Sequence, residues 1–599
     1  MGKSQSLLPD SIPKGTKHSS LFSDSTVARI KSRKLTRLIY EGIMVDRGNP
    51  DKVENARLEQ YEALYRLQGR TINSIRINRL DAFGPTLEDT AFVNPNNFVK
   101  WANNLHAKSS LGNIERNIFL RSGDRLDPEQ ILENERLIRQ MEYIKDARIL
   151  ASVDALDSTK VNLVVITKDV FSYGVDAQIG GLEDGYFALF NQNTWGIGHE
   201  LYGGPVWNTQ AHDGLGFKTS YTARNILGSY TDAMMGYVNS YRQEGVAINI
   251  ERPFAKISNT WGGGLDYYRM FRTNSYYETN MHLDLNTSTP INYWAIDWWA
   301  GHAFKLGMHD EFGSQQLVVS GRYRKVNFME RPQAGNDGNQ FFADSELYMM
   351  SFSLLKRMYL RDNHIYGYGI TEDIPKGYLH ELVLGYDNNE FNRRLYSHLY
   401  LSTGNLLSFR PSYFFLSGGF GTFFDNRKME QGEIQVNANL ITRQFELNNH
   451  TVRQFFSASY IQGVNRFEQE YLELDDANGI RGFQSNLIAG QKKLNVQTET
   501  LYFLPRKYWG FNIAFFDFID VGILAGKNQM LARGRWYTGF GGGIRFKNES
   551  LVFETIQIRL AFYPWSPADQ SFWGMQGGYL RNDIPYNFQA RKPNTLEYR

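Results

Sequence analysis

From Val170 to about Tyr579 the sequence holds no convincing long helix. Short stretches instead alternate apolar and polar side chains, with Gly-, Asn- and Asp-rich turns between them, the period-2 signature of strands with two unlike faces. In I-Q-I-R-L-A-F-Y, Ile556, Ile558, Leu560 and Phe562 point one way, while Gln557 and Arg559 point the other. In G-F-G-G-G-I-R-F, Phe540, Ile544 and Phe546 oppose Arg545, and in F-F-S-A-S-Y, Phe456, Ala458 and Tyr460 oppose Ser457 and Ser459. A soluble sandwich would alternate in the same way with its apolar face buried. Three features favour a barrel in lipid: the strands continue without a domain break, Arg and Gln occupy the polar face, and Trp and Tyr gather near strand ends as interfacial girdles. In lipid a closed sheet is also the only β architecture that pairs every backbone group.

Composition agrees with a β-rich chain. Of 599 residues 14% are aromatic, with 35 Tyr, 40 Phe and 54 Gly. No apolar run approaches the roughly 18 residues of a transmembrane helix, which excludes a helical membrane protein but not a barrel. A net charge of +2 lends no support to a nucleic-acid partner. Cysteine is absent, so a disulfide framework, a thiolate metal site and a thiol nucleophile are excluded. Met1-Gly2-Lys3 leads into no apolar core and so begins no signal peptide; for an exported protein, the numbering would start after the leader.

Residues 1–24 read as a flexible Ser-, Pro- and Lys-rich segment and residues 25–68 as a basic helical lead. In that lead Val27, Ile30, Leu35, Leu38, Ile39 and Ile43 recur at nearly helical spacing. It would pack on the next domain or lie on a membrane surface. Residues 69–169 change to a β-α-α-β-β order: T-I-N-S-I-R-I as a strand, N-N-F-V-K-W-A-N-N-L-H as a helix, then a helix capped by Asp127 with Pro128 at its first position, then two strands joined by D-S-T-K. This order, with L-R-S-G-D-R-L-D at Leu120 to Asp127, resembles a single POTRA domain. The edge around Ala147 to Asp169 would receive an extended peptide as an added strand, or the unit is a spacer.

The stretch from Asp475 to Gly522 joins a loop, D-D-A-N-G-I-R-G-F, to two strands, L-N-V-Q-T-E-T-L-Y-F and F-F-D-F-I-D-V-G. A guanidinium shut inside a barrel must be paired, and its planar fork matches a carboxylate at two points, so Arg481 with Asp520 would pin the loop. Gly482 would let the backbone approach the wall closely, and Phe483 would anchor it. Asp517 has the opposite parity to Asp520 and should face away. The bland alternative is an exposed Arg-Gly turn.

One POTRA-like unit, then strands, then I-R-G-F late in the barrel resembles the BamA/TamA superfamily of outer-membrane assembly factors, which includes two-partner secretion translocators. The resemblance spans about residues 70 to 580. It implies a mainly β fold, a transmembrane antiparallel barrel of about 16 strands over 170–580 after one small α+β domain, with a C-terminal tail at 581–599. The family's tetrad falls on Ile480, Arg481, Gly482 and Phe483, in a lid loop at about 465–490 folded inward. Its wall carboxylates fall on Asp520 and on Glu499, the latter six residues before Pro505, a longer spacing than the family's. Q-N-T-W-G-I-G-H-E-L resembles the strand that opens these barrels, making Asn193, Gly196 and Gly198 candidates for a weakly paired seam with the last strand; the glycines would otherwise only relieve crowding.

The resemblance implies an outer-membrane protein of a diderm bacterium with its N-terminal domain in the periplasm. It would insert outer-membrane proteins or translocate secreted polypeptides, with unfolded clients, the lipid bilayer and accessory subunits as partners and with no cofactor, metal or nucleic acid. No H-E-x-x-H, G-x-S-x-G or P-loop occurs, and Asp475-Asp476 reads as solvated loop, so no enzyme is expected. The alternatives are a passive pore and a membrane-embedded lipid hydrolase whose Ser and His meet only in space.

Overall fold

The computed structural model describes residues 63–598 apart from 88–89, 91–96, 180–183, 210–213, 241–242, 257–258, 273–289, 311–312, 332–339, 341, 408–411, 448–449, 468–469, 477–478, 484, 486, 509, 552–554 and 581–586. The basic helix expected within 25–68 lies outside the described residues.

A single ring of antiparallel strands runs from Tyr173–Ile179 to Trp573–Leu580 and closes on itself. It contains 21 strand segments, more than the sixteen or so expected. Lys428–Ile441 and Phe445–Leu447 both pair with His450–Val464, so they are two pieces of one stave, which leaves about 20 staves around the ring. An all-antiparallel ring closes only with an even number, and each short alternating stretch between turns forms its own stave. The wall is uneven. Ile291–Asp310 is 20 residues long, whereas the two strands that meet at the closure have 7 and 8.

The ring is apolar outside and charged inside. Leu384, Leu399, Phe456, Phe540, Ile558 and Leu560 are exposed, while Arg322, Arg394, Arg545, Arg559 and Asp520 are buried. Asp517 is exposed on the outer face beside Phe515 and Ile519, as its parity predicts. Exposed Leu and Ile in a belt around buried charge invert a soluble protein and define a transmembrane barrel. No helix among the described residues is long and apolar enough to cross a membrane.

Residues 71–169 form a separate three-stranded unit of β1 (Thr71–Leu80), α1 (Asn97–Leu105), α2 (Leu111–Asn117), α3 (Pro128–Arg139), β2 (Ile144–Val153) and β3 (Lys160–Asp169), in sheet order β1-β3-β2. Asp127 caps α3 by accepting from the Glu129 amide at 3.1 Å, with Pro128 at the first helical position. Ile72, Ile114, Ile131, Ile138, Val161, Leu163 and Val165 fill the core between helices and sheet. The alternate residues 161, 163 and 165 of β3 face the helices together, as the period of a strand requires. The peptide-receiving edge expected around Ala147 to Asp169 needs correction: β3 is the central strand, paired on both sides. At the edge strand β2, Glu135 of α3 already accepts from the Ile149 amide at 3.1 Å.

The unit is bolted to one end of the barrel. Arg139 forms a two-point pair with Asp373 at 2.8 and 2.9 Å and reaches Glu135 at 2.6 Å. Arg224 pairs with Glu142 at 2.8 Å, and the Ser110 amide donates to the Gly196 carbonyl at 2.7 Å.

Candidate functional site

The loop between His450–Val464 and Lys492–Phe503 turns into the lumen. At its base Leu472 and Gly490 exchange backbone hydrogen bonds of 2.7 and 3.0 Å, which fixes where the loop leaves the wall. Farther in, Leu472, Leu474, Ile480, Phe483 and Ile488 pack with the wall residues Leu501, Phe516, Phe518 and Tyr537 in one buried cluster. Glycines in the wall make room. A Cβ at Gly539 would stand 2.7 Å from Ile480 Cγ2, a distance real Cβ atoms do not adopt.

Arg481 sits at the loop's tip on two strands. Its amide donates to Asp520 Oδ2 at 2.9 Å, its Nε to the same oxygen at 2.9 Å and its Nη2 to Asp520 Oδ1 at 2.6 Å. Nη1 donates to Glu499 Oε2, and Nη2 also to the Thr498 carbonyl at 3.2 Å. Both carboxylates assigned from the sequence therefore meet this guanidinium. The longer spacing of Glu499 from Pro505 does no harm, because Glu499 and Gln497 share the inward parity of Asp520 across the Gln497–Asp520 pairing.

Three partners were not assigned from the sequence. Arg545 donates to Glu499 at 2.7 and 2.9 Å, so Glu499 bridges two cations. Tyr563 donates its hydroxyl to the Arg481 carbonyl at 2.8 Å. Asp476, expected as solvated loop, accepts from the Gly482 amide at 2.6 Å and pairs with Arg559. The inward parity of Arg545 and Arg559 is visible in the sequence; which carboxylate each meets depends on strand stagger. Gly482 has φ +77°, and a Cβ there would strike the Tyr563 hydroxyl. Phe483 is fully buried between Tyr537 and Tyr563, with ring centroids at 5.7 and 5.6 Å.

The seam candidates lie elsewhere. The strand at the closure is Tyr173–Ile179, whereas Asn193 lies one residue before the end of the next strand, Asp184–Thr194, and Gly196 and Gly198 lie in the turn after it, with φ of +74° and +77°. These positive angles, which favour glycine, make a turn, not a weakened strand edge. That turn is the socket for the α/β unit: Asn193 Nδ2 donates to Ser109 Oγ at 3.0 Å, and a Cβ at Gly198 would meet the Tyr143 ring.

One Ser–His–Asp string does form in space. His106 Nε2 lies 3.1 Å from Asp169 Oδ2, and its Nδ1 lies 3.1 Å from Ser172 Oγ. All three residues are under 5% exposed, and Asp169 is also held by the Ser109 amide at 2.7 Å. No substrate carbonyl reaches that hydroxyl unless the unit leaves the barrel. The string acts as a strut where β3 hands over to the first stave.

The C-terminal residues 587–598 also lie in the lumen. Lys592 reaches Asp266 and Asp297 at 2.8 and 3.1 Å, and Tyr598 joins the buried cluster under the lid.

An outer apolar belt, a charged lumen and an inward lid latched by buried ion pairs make this a transmembrane β-barrel with an obstructed pore. No family model and no curated protein matches the chain. Among solved structures it is similar to BamA from Haemophilus ducreyi lacking POTRA domains 1–3, with TM-score 0.37 and 11% identity over 85% of this chain and 84% of that one. It is also similar to CdiB from Acinetobacter baumannii, with TM-score 0.35 and 11% identity over 85% and 73%, and to CdiB from Escherichia coli, with TM-score 0.35 and 10% identity over 88% and 96%. Likeness at this level transfers no residue roles.

Proposed function

We propose that this protein handles polypeptides at a bacterial outer membrane, inserting outer-membrane proteins or translocating a secreted chain, with the α/β unit acting as a POTRA-like periplasmic domain. The observation that carries the reading is the latch: one guanidinium shared by Asp520 and Glu499 holds a loop inside a wide barrel. About 20 staves would otherwise leave an aqueous channel. A passive pore has no use for a lumen filled by two segments, which favours a protein that keeps its pore shut until a client arrives. The strands at the closure have only 7 and 8 residues, which places the closure in the short-walled, more easily parted part of the ring. No cofactor or energy source is required; client folding supplies the drive.

The test is reconstitution in liposomes with an unfolded outer-membrane protein or a secreted polypeptide as client. The Arg481→Ala barrel should remain folded, with its 465–490 loop cleaved readily by protease and its client yield lost. Client yield and loop resistance both equal to the parent's would overturn the role of the latch.

A further inference from the structure

Residues 587–598 cross the lumen from the end that carries the α/β unit to the lid. Phe588 packs with Ile365, Ile374, Tyr413 and Phe415, in the layer next to Asp373, which holds Arg139 of the unit. Tyr598, at the far end, donates to the Gln491 carbonyl at 3.2 Å at the lid's base, with the Arg466 guanidinium 4.1 Å from its ring centre. Ten residue steps of chain span at most roughly 33 Å, enough to bridge the ~30 Å apolar thickness of a bilayer. With Phe588 at one rim and Tyr598 at the lid's base, the segment runs the length of the pore.

Its grip on the wall has an unusual character. No residue from 587 to 598 belongs to a strand, so removing the segment breaks no ladder of the barrel. The contacts are side-chain stations. Phe588 occupies an aromatic and aliphatic pocket, Ala590 lies against Trp299, Phe254 and Leu355, and Lys592 sits between Asp266 and Asp297. Arg322, itself paired with Asp297 at 2.6 Å, donates to the Pro593 carbonyl at 2.7 Å and to Asn594 Oδ1 at 2.9 Å. Tyr396 accepts from the Leu596 amide at 2.9 Å. The wall thus offers, in order, an apolar pocket, a small-residue site, a dicarboxylate, a donor for a backbone carbonyl and an acceptor for a backbone amide. That is a recognition track for extended polypeptide carrying an apolar residue and, four positions on, a cation. Spacing of 588, 590 and 592 by two is the period of an extended chain.

We propose that residues 587–598 are a displaceable plug: an extended intramolecular ligand that occupies a polypeptide-binding track in the lumen and gives way to an incoming chain with the same pattern. The displacement half of this rests on the polypeptide-handling reading above; the plug half does not.

Planar-bilayer conductance tests the plug without any client. A chain ending at residue 586 should conduct several-fold more than the full chain, and a synthetic peptide of residues 587–598 should close it again, whereas the same peptide with Lys592→Glu should not. Lys592→Glu in the full chain should open the pore by setting three carboxylates against one another, and adding Asp266→Lys should reclose it. Equal conductance of the full, truncated and Lys592→Glu chains would overturn the plug. Displacement is tested by bridging Lys592→Cys and Asp266→Cys with a short thiol cross-linker, clean in a chain without native cysteine. Client transport should stop when bridged and return when the bridge is cleaved, and transport that continues through a bridged barrel would overturn displacement. If the parent transports no client while truncation still opens the pore, the functional reading fails and the plug stands.

Discussion

Among the described residues two segments occupy this lumen, and they are held in opposite ways. The lid loop is tied at both ends to wall strands, bridged to itself at Leu472 and Gly490, and latched through Arg481 to two carboxylates, of which Glu499 also meets Arg545. The tail segment 587–598 enters no strand and meets a wall whose charges are already partly satisfied: Asp297 keeps Arg322 when Lys592 leaves. The comparison teaches that filling a pore and locking it are separate tasks. Removing the lid's cation strands buried charge; withdrawing the tail does so far less.

The largest effect that separates the two belongs to Arg481→Ala, which should loosen the lid by about 4 kcal/mol because Asp520 is left buried without its cation. Protease cleavage within 465–490 should rise steeply, while the tail stations stay occupied. Phe483→Ala comes next at about 3 kcal/mol through the cavity it leaves between Tyr537 and Tyr563, read by the same cleavage assay with the ion pairs intact. Lys592→Ala should weaken the tail by about 1.5 kcal/mol, the worth of hydrogen bonds to a charged group, and should show as flickering conductance with unchanged lid cleavage. Asp517→Asn, on the lipid side, should move lid cleavage by less than about 0.5 kcal/mol equivalent; a shift like that of Arg481→Ala would mean that the parity of this strand is misassigned. Smallest is an acid effect outside the barrel. Asp157 is pushed down to about 2 from 3.8 by the Thr159 hydroxyl and amide, so its support for the β2–β3 turn is complete above about pH 4 and fades as pH falls towards 2. Hydrogen-exchange protection at Thr159 and Lys160, taken relative to the intrinsic rate at each pH, should fall over that window, and less so in Asp157→Asn.

Parity made much of this legible. Alternation placed Arg545 and Arg559 on polar faces and set Asp517 opposite Asp520, and a buried guanidinium needs a fork-shaped partner, so the Arg481–Asp520 pair could be argued from the residues, whereas Glu499 followed only from the family resemblance. What alternation does not carry is stagger around a ring, hence Arg545 and Asp476 went unassigned; the stave number was short because it was taken from the resemblance and not counted from the stretches. Gly196 and Gly198 misled for a local reason. A glycine in an extended strand and a glycine in a left-handed turn are the same letter, and only φ separates them. The tail was illegible because N-F-Q-A-R-K-P-N-T-L-E-Y has no strong period, and its partners at 266, 297, 322 and 396 lie hundreds of residues earlier in the chain.

The most direct test of the account is thiol labelling from solution during client engagement, with single cysteines at Ala590→Cys in the tail and Ser485→Cys in the lid, positions that are both buried at rest. The account predicts that a client exposes residue 590 to a maleimide while residue 485 stays protected. Labelling at 485 with 590 still shielded would contradict it, making the lid the moving part and the tail the fixed one.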